Sequence, residues 1–308
     1  DVDDAIAGLG VSAAELRAFT GGRGGVLVWV DAGGALQVLD FREDAPQVRR
    51  LSEESNCINP VISPDGTRVV YSQGQANGPK FIHTRFLDEG PAELVGTGDV
   101  GYWYRAPSGD EFVVYCDWSE KNDNGAGGNT YRQKLETGGI AAEGEPETLC
   151  DRAMDAGPDR ELVWLGQVYG NLWARNLATG ADYPTASFFL MDGSPADHQT
   201  CNGSMAPDES GRLMCLVIPH DFVRIFSYQA GDDSFRQTSE LRLPAGMAEW
   251  EFPEWSTDPG FFTAVLRASD LENRLFIGKV AEGDLVPALL EISGDETGMT
   301  YSHLYLEP

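Results

Sequence analysis

A chain of 308 residues with 42% hydrophobic and 10% aromatic content has apolar matter for one large packed domain. It has no apolar run near the roughly 18–20 residues that cross a bilayer. Its net charge of −27 sets the surface against phosphate backbones and anionic lipid, which excludes nucleic-acid binding and leaves cations, basic partners and neutral polar ligands open. Such a charge also suits an acidic protein kept soluble in a salty or extracellular setting.

The chain opens on Asp1 rather than Met, so a processed or trimmed N-terminus is expected, removal of a signal peptide being one route to it. Residues 1–20 stand apart from the rest of the chain. Within them Ser12-Ala13-Ala14-Glu15-Leu16-Arg17 reads as a short helix, with Ser12 as its cap and a glutamate three residues later. It is expected either to cover one mouth of the domain or to form an arm.

From residue 21 the sequence repeats. The turn Asn59-Pro60-Val61-Ile62-Ser63-Pro64-Asp65-Gly66 is followed by the strand-like run Thr67-Arg68-Val69-Val70-Tyr71-Ser72. In the turn Pro presets the backbone and Gly tolerates positive φ. Weaker copies stand around positions 107, 158, 207 and 257, so successive units begin 43 to 51 residues apart. A period of this length with several strands per unit indicates a propeller or a similar repeat architecture.

Each unit reads as four strands. The return strands are Val26–Val30, Arg68–Ser72, Glu111–Cys116, Glu161–Leu165, Leu213–Ile218 and Phe261–Arg267. They are nearly continuous runs of β-branched and apolar residues, as sheets covered on both faces require. Third strands are expected at Ala35–Phe41, Lys80–Phe86, Thr130–Leu135, Asn171–Leu177, Val223–Tyr228 and Arg274–Val280. Six third strands predict an all-β, six-bladed β-propeller over residues 21–308 as a single domain. Only five innermost strands lie in order. The missing one is expected from Tyr301–Leu306, pairing with Val26–Val30 to close the ring.

These residues resemble a known repeat. Pro60 to Ser72, the Pro253-Glu254-Trp255-Ser256 opening and Asn171-Leu172-Trp173-Ala174-Arg175-Asn176-Leu177-Ala178-Thr179-Gly180 are similar to the TolB-type β-propeller repeat. The resemblance covers roughly residues 21–308, with only two of the turns matching well. It implies a periplasmic or secreted protein. It leaves the activity open, because that family spans non-catalytic interaction domains, peptidase-linked propellers and carbohydrate-active enzymes.

In such a fold the loops leading into the innermost strands share a face with the loops after the second strands, and binding groups sit on loops of that kind. The candidate ligand-binding residues there are Asn59, Trp103, Asp117, Asp151, His198, Asn202, His220, Trp250 and Glu251. Aromatic rings, amides and carboxylates in this mixture suit a sugar or another small polar molecule; strand-end capping by Asn and Asp is the plainer reading of each one.

Of the five cysteines, Cys57, Cys116, Cys150 and Cys201 fall at this end, and a Cys116–Cys150 disulfide is expected. Cys215 reads as a buried thiol opposite about Gly203. His198 and His220 share one unit and, with Cys201 or Asp221, form a candidate transition-metal site without a standard motif. Asn122-Asp123-Asn124-Gly125 has the oxygen ligands of a calcium loop but not its spacing. No certain cofactor is implied, only calcium or a transition metal as candidates. Catalytic motifs are absent, although Asp151 and Glu251 form a carboxylate pair of the kind used in glycoside hydrolysis. The leading expectation is a monomeric, secreted or periplasmic, non-catalytic propeller that binds a small polar ligand or a protein partner. The alternatives are a carbohydrate-active hydrolase or lyase, and a metal-binding surface protein.

Overall fold

The computed structural model describes residues 6, 8–75, 78–121, 127–150, 154–159, 162–165, 172–176, 179–196, 199–280, 283–294 and 298–308. Of these, 118–121, 127, 154–159, 162–165 and 283–285 are described by backbone alone. One helix, α1 (Ala13–Thr20), precedes the strands. Its capping box is complete, with Ser12 Oγ accepting from the Glu15 N–H and the Glu15 carboxylate accepting from the Ser12 N–H. Leu16 on its inner face is fully buried against Trp29, Phe41, Val265 and Ile277, so the helix seals the seam between the first and last blades.

The strands are arranged in radial sheets. The first sheet holds β1 (Gly25–Val30), β2 (Leu36–Asp40) and β3 (Gln47–Arg50); the second holds β4 (Cys57–Ile62), β5 (Arg68–Gly74), β6 (Lys80–Phe86) and β7 (Glu93–Thr97). The third holds β8 (Asp99–Arg105), β9 (Glu111–Lys121), β10 (Gly127–Lys134) and β11 (Glu147–Cys150); the fourth holds β12 (Met154–Asp159), β13 (Leu162–Leu165), β14 (Ala174–Asn176) and β15 (Asp182–Tyr183). A larger sheet comes next, from β16 (Phe188–Phe189), β17 (Thr200–Met205), β18 (Arg212–Val217), β19 (Phe222–Gln229) and β20 (Ser234–Arg242). The last blade uses β21 (Met247–Trp255), β22 (Phe261–Ala268), β23 (Asn273–Lys279) and β25 (Leu289–Glu291); β24 (Gly283–Leu285) leaves it, and β26 (Thr300–Leu306) returns to the first sheet.

The six-bladed expectation is corrected by this strand pairing. Among the described residues, five of the sheets are four-stranded blades, and the remaining sheet departs from the blade pattern with six strands. Its outer strand β20 would present a long open edge. Two short strands cover that edge in parallel: β16 through Phe188↔Phe235, and β24, supplied by the last blade, through Ser239↔Gly283 to Leu241↔Leu285. Nothing in the local sequence of β24, a three-residue segment, marks it as a strand of another sheet.

The inner strands neighbour one another in the order β26, β4, β8, β12, β17, β21 and back to β26, which closes the ring. β26 pairs antiparallel with β1 from Gly25↔Leu306 to Val30↔Thr300. It is also tied to its flanks: the Thr257 N–H donates to the Leu304 carbonyl at 2.9 Å, and Thr263 Oγ1 donates to the Ser302 carbonyl at 2.8 Å. Tyr305 lies against Gly66, whose φ of 70° and missing Cβ let the Pro64-Asp65-Gly66 turn pass beneath the ring.

His303 is buried in this closing strand, where Nδ1 accepts the Ile62 N–H at 3.2 Å. Desolvation pushes its pKa down to about 3. An unfolded histidine takes a proton below about pH 6.5, so between that pH and the folded value the unfolded chain holds the extra proton. Stability is therefore expected to fall as pH drops through this window, by roughly 2–3 kcal/mol from this residue by pH 4.5. His303→Gln, which keeps an acceptor and does not titrate, is expected to flatten that part of the urea-stability profile; an unchanged slope would refute the assignment.

The disulfide expectation is also corrected. None of the five cysteines is in a disulfide. Cys116 and Cys150 lie in one blade on opposite sides of Thr130, which pairs with both. Two strand spacings of about 4.8 Å separate them, beyond the Cα reach of roughly 7 Å that a disulfide allows. Gly203 does stand opposite Cys215.

Candidate functional site

Each of five inner strands carries a break in its ladder and one non-glycine residue in the left-handed region. These are Asn59 (φ 50°), Val100 (55°), Asn202 (47°), Phe252 (46°) and Tyr301 (41°). The pairing shifts register beside each of them, between Ile58 and Val61, Asp99 and Tyr102, Cys201 and Gly203, Glu251 and Glu254, and between Ser302 and Thr300, which pair with Trp29 and Val30 and leave Tyr301 unpaired between them. Such a backbone costs on the order of 1–3 kcal/mol per residue and clusters at functional sites; for β-branched Val100 it is an outlier. Bulges re-aim side chains, and here they turn groups from five strands toward the axis.

They enclose a cavity of about 240 Å³. Its polar lining comes from Asn59, Asp99, Tyr102, Asn202, Glu254 and Tyr301, with Phe252 and two prolines as apolar walls. Among the described residues, none that lines it is a lysine or arginine. Tyr102 on β8 reaches across the axis to β21, where its hydroxyl donates to Glu254 Oε2 at 3.2 Å. Ser204 Oγ donates to Glu254 Oε1 while accepting the Trp255 N–H at 2.9 Å. These bonds make a polar floor spanning the channel.

On another wall Asp99 accepts from Asn59 Nδ2 at 3.3 Å and from the Val100 N–H at 2.8 Å, and pairs with Lys80. Phe252 and Tyr301 pack ring to ring with centroids 4.1 Å apart. Burial, reinforced by the Asp99 and Glu251 carboxylates, pushes the Tyr301 phenol up to about 12, so it stays a protonated donor at neutral pH.

Of the residues singled out in the sequence, Asn59 and Asn202 line this cavity. Trp103 does not: its indole Nε1 donates to the Val61 carbonyl at 2.9 Å, and its ring lies under the Arg68 guanidinium at 4.9 Å, which binds two blades together. Trp250 is fully enclosed in the core beside Phe262. Asp117 is half-buried on β9 opposite Asn129, beyond the cavity wall. Asp151, His198 and the Asn122-Asp123-Asn124-Gly125 loop lie outside the described residues, so the His198–His220 metal pair and the calcium loop do too.

His220 and Glu251 meet in a separate network. His220 Nδ1 is 3.7 Å from Glu251 Oε2, and Arg267 holds Glu249 at 2.7 Å and Glu251 at 2.9 Å. Burial pushes the Glu251 carboxyl up, against the pull of His220 and Arg267. His220, Glu249 and Glu251 offer ligand atoms within 4.8 Å of one another. The guanidinium spans both carboxylates, so the cluster is an ion-pair network with its own resident cation.

Tyr102 and Glu254 escaped the sequence reading because each lies past a bulge, which inverts the in/out alternation, whereas Asp99 precedes its bulge and Tyr301 is itself the bulge residue. A signal was present. A Pro or Gly comes directly after the strained residue in four strands, at Asn59-Pro60, Val100-Gly101, Asn202-Gly203 and Phe252-Pro253.

No protein-family model and no curated protein matches the chain. Solved structures do. TolB from Acinetobacter baumannii superposes over 95% of this chain and 70% of its own at TM-score 0.60 and 14% identity. A functionally unknown protein from Desulfotomaculum acetoxidans covers 86% of this chain and 85% of its own at TM-score 0.52 and 12% identity. The periplasmic gluconolactonase of Pseudomonas aeruginosa covers 84% and 79% at TM-score 0.49 and 14% identity. The likeness to the first two shows a β-propeller fold. No helix among the described residues is long and apolar enough to cross a membrane.

Proposed function

We propose that this chain is a non-catalytic, ligand-binding β-propeller that takes a small polar molecule, neutral or cationic, into the mouth of its channel. The cavity built by five bulged strands carries this reading. Its volume falls a little below the roughly 300–1,000 Å³ of drug-sized sites, which suits a molecule the size of an amino acid, a monosaccharide or a short amine. Carboxylates at Asp99 and Glu254 with the faces of Phe252 and Tyr301 favour ammonium groups and hydroxyls. Among the described residues the lining offers no basic side chain, so a phosphate or carboxylate ligand would meet the Asp99 and Glu254 carboxylates without a cation of the lining to pair with. A secreted or periplasmic setting is part of the proposal, supported by the acidic surface and the TolB-like repeat and no longer by a disulfide.

Calorimetric titration with sugars, amino acids and polyamines, run beside a glycan and lactone turnover assay, tests this. The expected result is saturable binding of a neutral or cationic compound, no binding of phosphorylated sugars, and no turnover. Glu254→Gln and Tyr102→Phe are each expected to weaken binding about ten-fold or more, because a hydrogen bond to a charged group contributes roughly 1.5–3 kcal/mol. Turnover would favour the hydrolase reading, and binding indifferent to both variants would remove the cavity from it.

A further inference from the structure

Outside the cavity, three side chains from separate segments meet near the same end of the propeller. Cys201 lies on β17, His220 comes after Pro219 between β18 and β19, and Glu251 lies on β21. Cys201 Sγ is 3.1 Å from His220 Nε2, while His220 Nδ1 faces Glu251 Oε2 at 3.7 Å. One ring nitrogen is thus turned to a thiol and the other to a carboxylate. The ring is positioned by its backbone: His220 has φ 82°, and its carbonyl accepts the Trp250 N–H at 3.0 Å. Arg267 fixes Glu251 in turn. A nucleophile beside a base that a third group orients is the general arrangement of an activated thiol.

The geometry points to Cys201 as a reactive thiol site, with His220 as its base and Glu251 as the positioning carboxylate, that small hydroperoxides oxidise to a sulfenic acid. The Sγ proton passes to His220 Nε2. The thiolate sulfur then attacks one peroxide oxygen, the S–O bond forms as the O–O bond breaks, and the leaving oxygen takes the proton back from His220. Sulfur loses two electrons and the peroxide gains them: one oxygen stays on sulfur as the sulfenic acid, and the other departs as water or an alcohol. Cys201 is partly exposed, whereas Cys57, Cys116, Cys150 and Cys215 are buried, so those four serve as internal controls.

Among the described residues, the charged and titratable groups placed around the pair are His220 itself, Glu249 and Glu251 from β21, and Arg267 from β22, with Asp221 next to His220 in sequence; β18 presents Leu216 opposite Cys201. Asn202, the next residue, lines the cavity, so the modification would stand at its edge.

The test uses the folded full chain. Iodoacetamide labelling, mapped by peptide mass from about pH 5 to about pH 9, brackets ordinary imidazole and thiol values. Cys201 is expected to react on the order of ten-fold faster than any other cysteine at neutral pH, with a midpoint below the roughly 8.5 of an ordinary thiol. His220→Gln is expected to move that midpoint up to the ordinary range, with a smaller upward move for Glu251→Gln. Hydrogen peroxide followed by dimedone is expected to add one adduct, lost in Cys201→Ser. Should His220→Gln fail to fold, the wild-type midpoint and the Cys201→Ser adduct still decide. An ordinary midpoint in the wild type, a folded His220→Gln protein with an unchanged profile, or dimedone on a buried cysteine would overturn the proposal.

Discussion

Deleting residues 299–308 is expected to leave a chain without a cooperative thermal transition, found mainly in aggregates. The segment is the inner strand of the first blade and touches both flanking blades. It buries Met299, Leu304 and Leu306 in the cluster that includes Leu27, Trp29 and Val265. At about 1.5–3 kcal/mol per buried side chain, these three alone contribute roughly 4.5–9 kcal/mol. That rivals the total of about 5–15 kcal/mol that holds a typical domain folded. The cut also strips β1 of its partner from Gly25 to Val30 and leaves a fully buried apolar strand as an open edge. The bonds to Ile62, Thr257 and Thr263 on neighbouring blades go with it. Circular dichroism melts and gel filtration check this. A truncated protein that melts as the intact one does would show that the ring does not depend on its closing strand. Supplying residues 299–308 as a free peptide is expected to recover part of the transition.

The repeat period, the return strands and the third strands were legible because each arises from local chemistry. Val69-Val70-Tyr71 and Ala264-Val265-Leu266 are continuous apolar runs that only a sheet covered on both sides can bury. The six-stranded sheet was not legible, since β16 and β24 gain strand character from the edge of β20 and not from their own residues. The Cys116–Cys150 pairing failed for a related reason: it required Cys150 to lie in the next blade, whereas Cys150 ends the outer strand of the same one. At the site, the segments read as strand-entry loops led to Trp103 and Trp250, large residues that pack blades together. Tyr102 and Glu254 lie past a bulge, where the parity changes. Asn59 and Asn202 were found because they are the bulge residues themselves.

The same tension between packing and charge governs the contact of the second and third blades, where Glu111→Ala is expected to lower stability by about 3–5 kcal/mol. Arg68 is only 1% exposed. Its guanidinium bonds Glu111 through two nitrogens at 2.8 and 3.1 Å, Asp65 at 2.9 Å and the Gly139 carbonyl at 2.9 Å, with Trp103 across its face. Removing Glu111 leaves a buried cation with Asp65 as its main counter-charge, and Asp65 is half exposed, which places the loss toward the lower end of that range. The bond from Arg68 holds the Glu111 carboxyl below its usual range. Partial burial works to raise Asp65, but hydrogen bonds from Ser63 and Thr67 and the Arg68 charge outweigh it. Both carboxyls therefore bind protons more weakly folded than unfolded. Their contribution is full above the unfolded values of about 4 and is lost as pH falls through the folded ones. Glu111→Gln is expected to be less stable at neutral pH and to lose less on acidification, as urea titrations at several pH values would reveal. Arg68→Met discriminates further. An apolar side chain of similar length orphans no buried cation, so it is expected to cost less than Glu111→Ala; the reverse order would mean that the guanidinium holds these blades by packing on Trp103 rather than by charge.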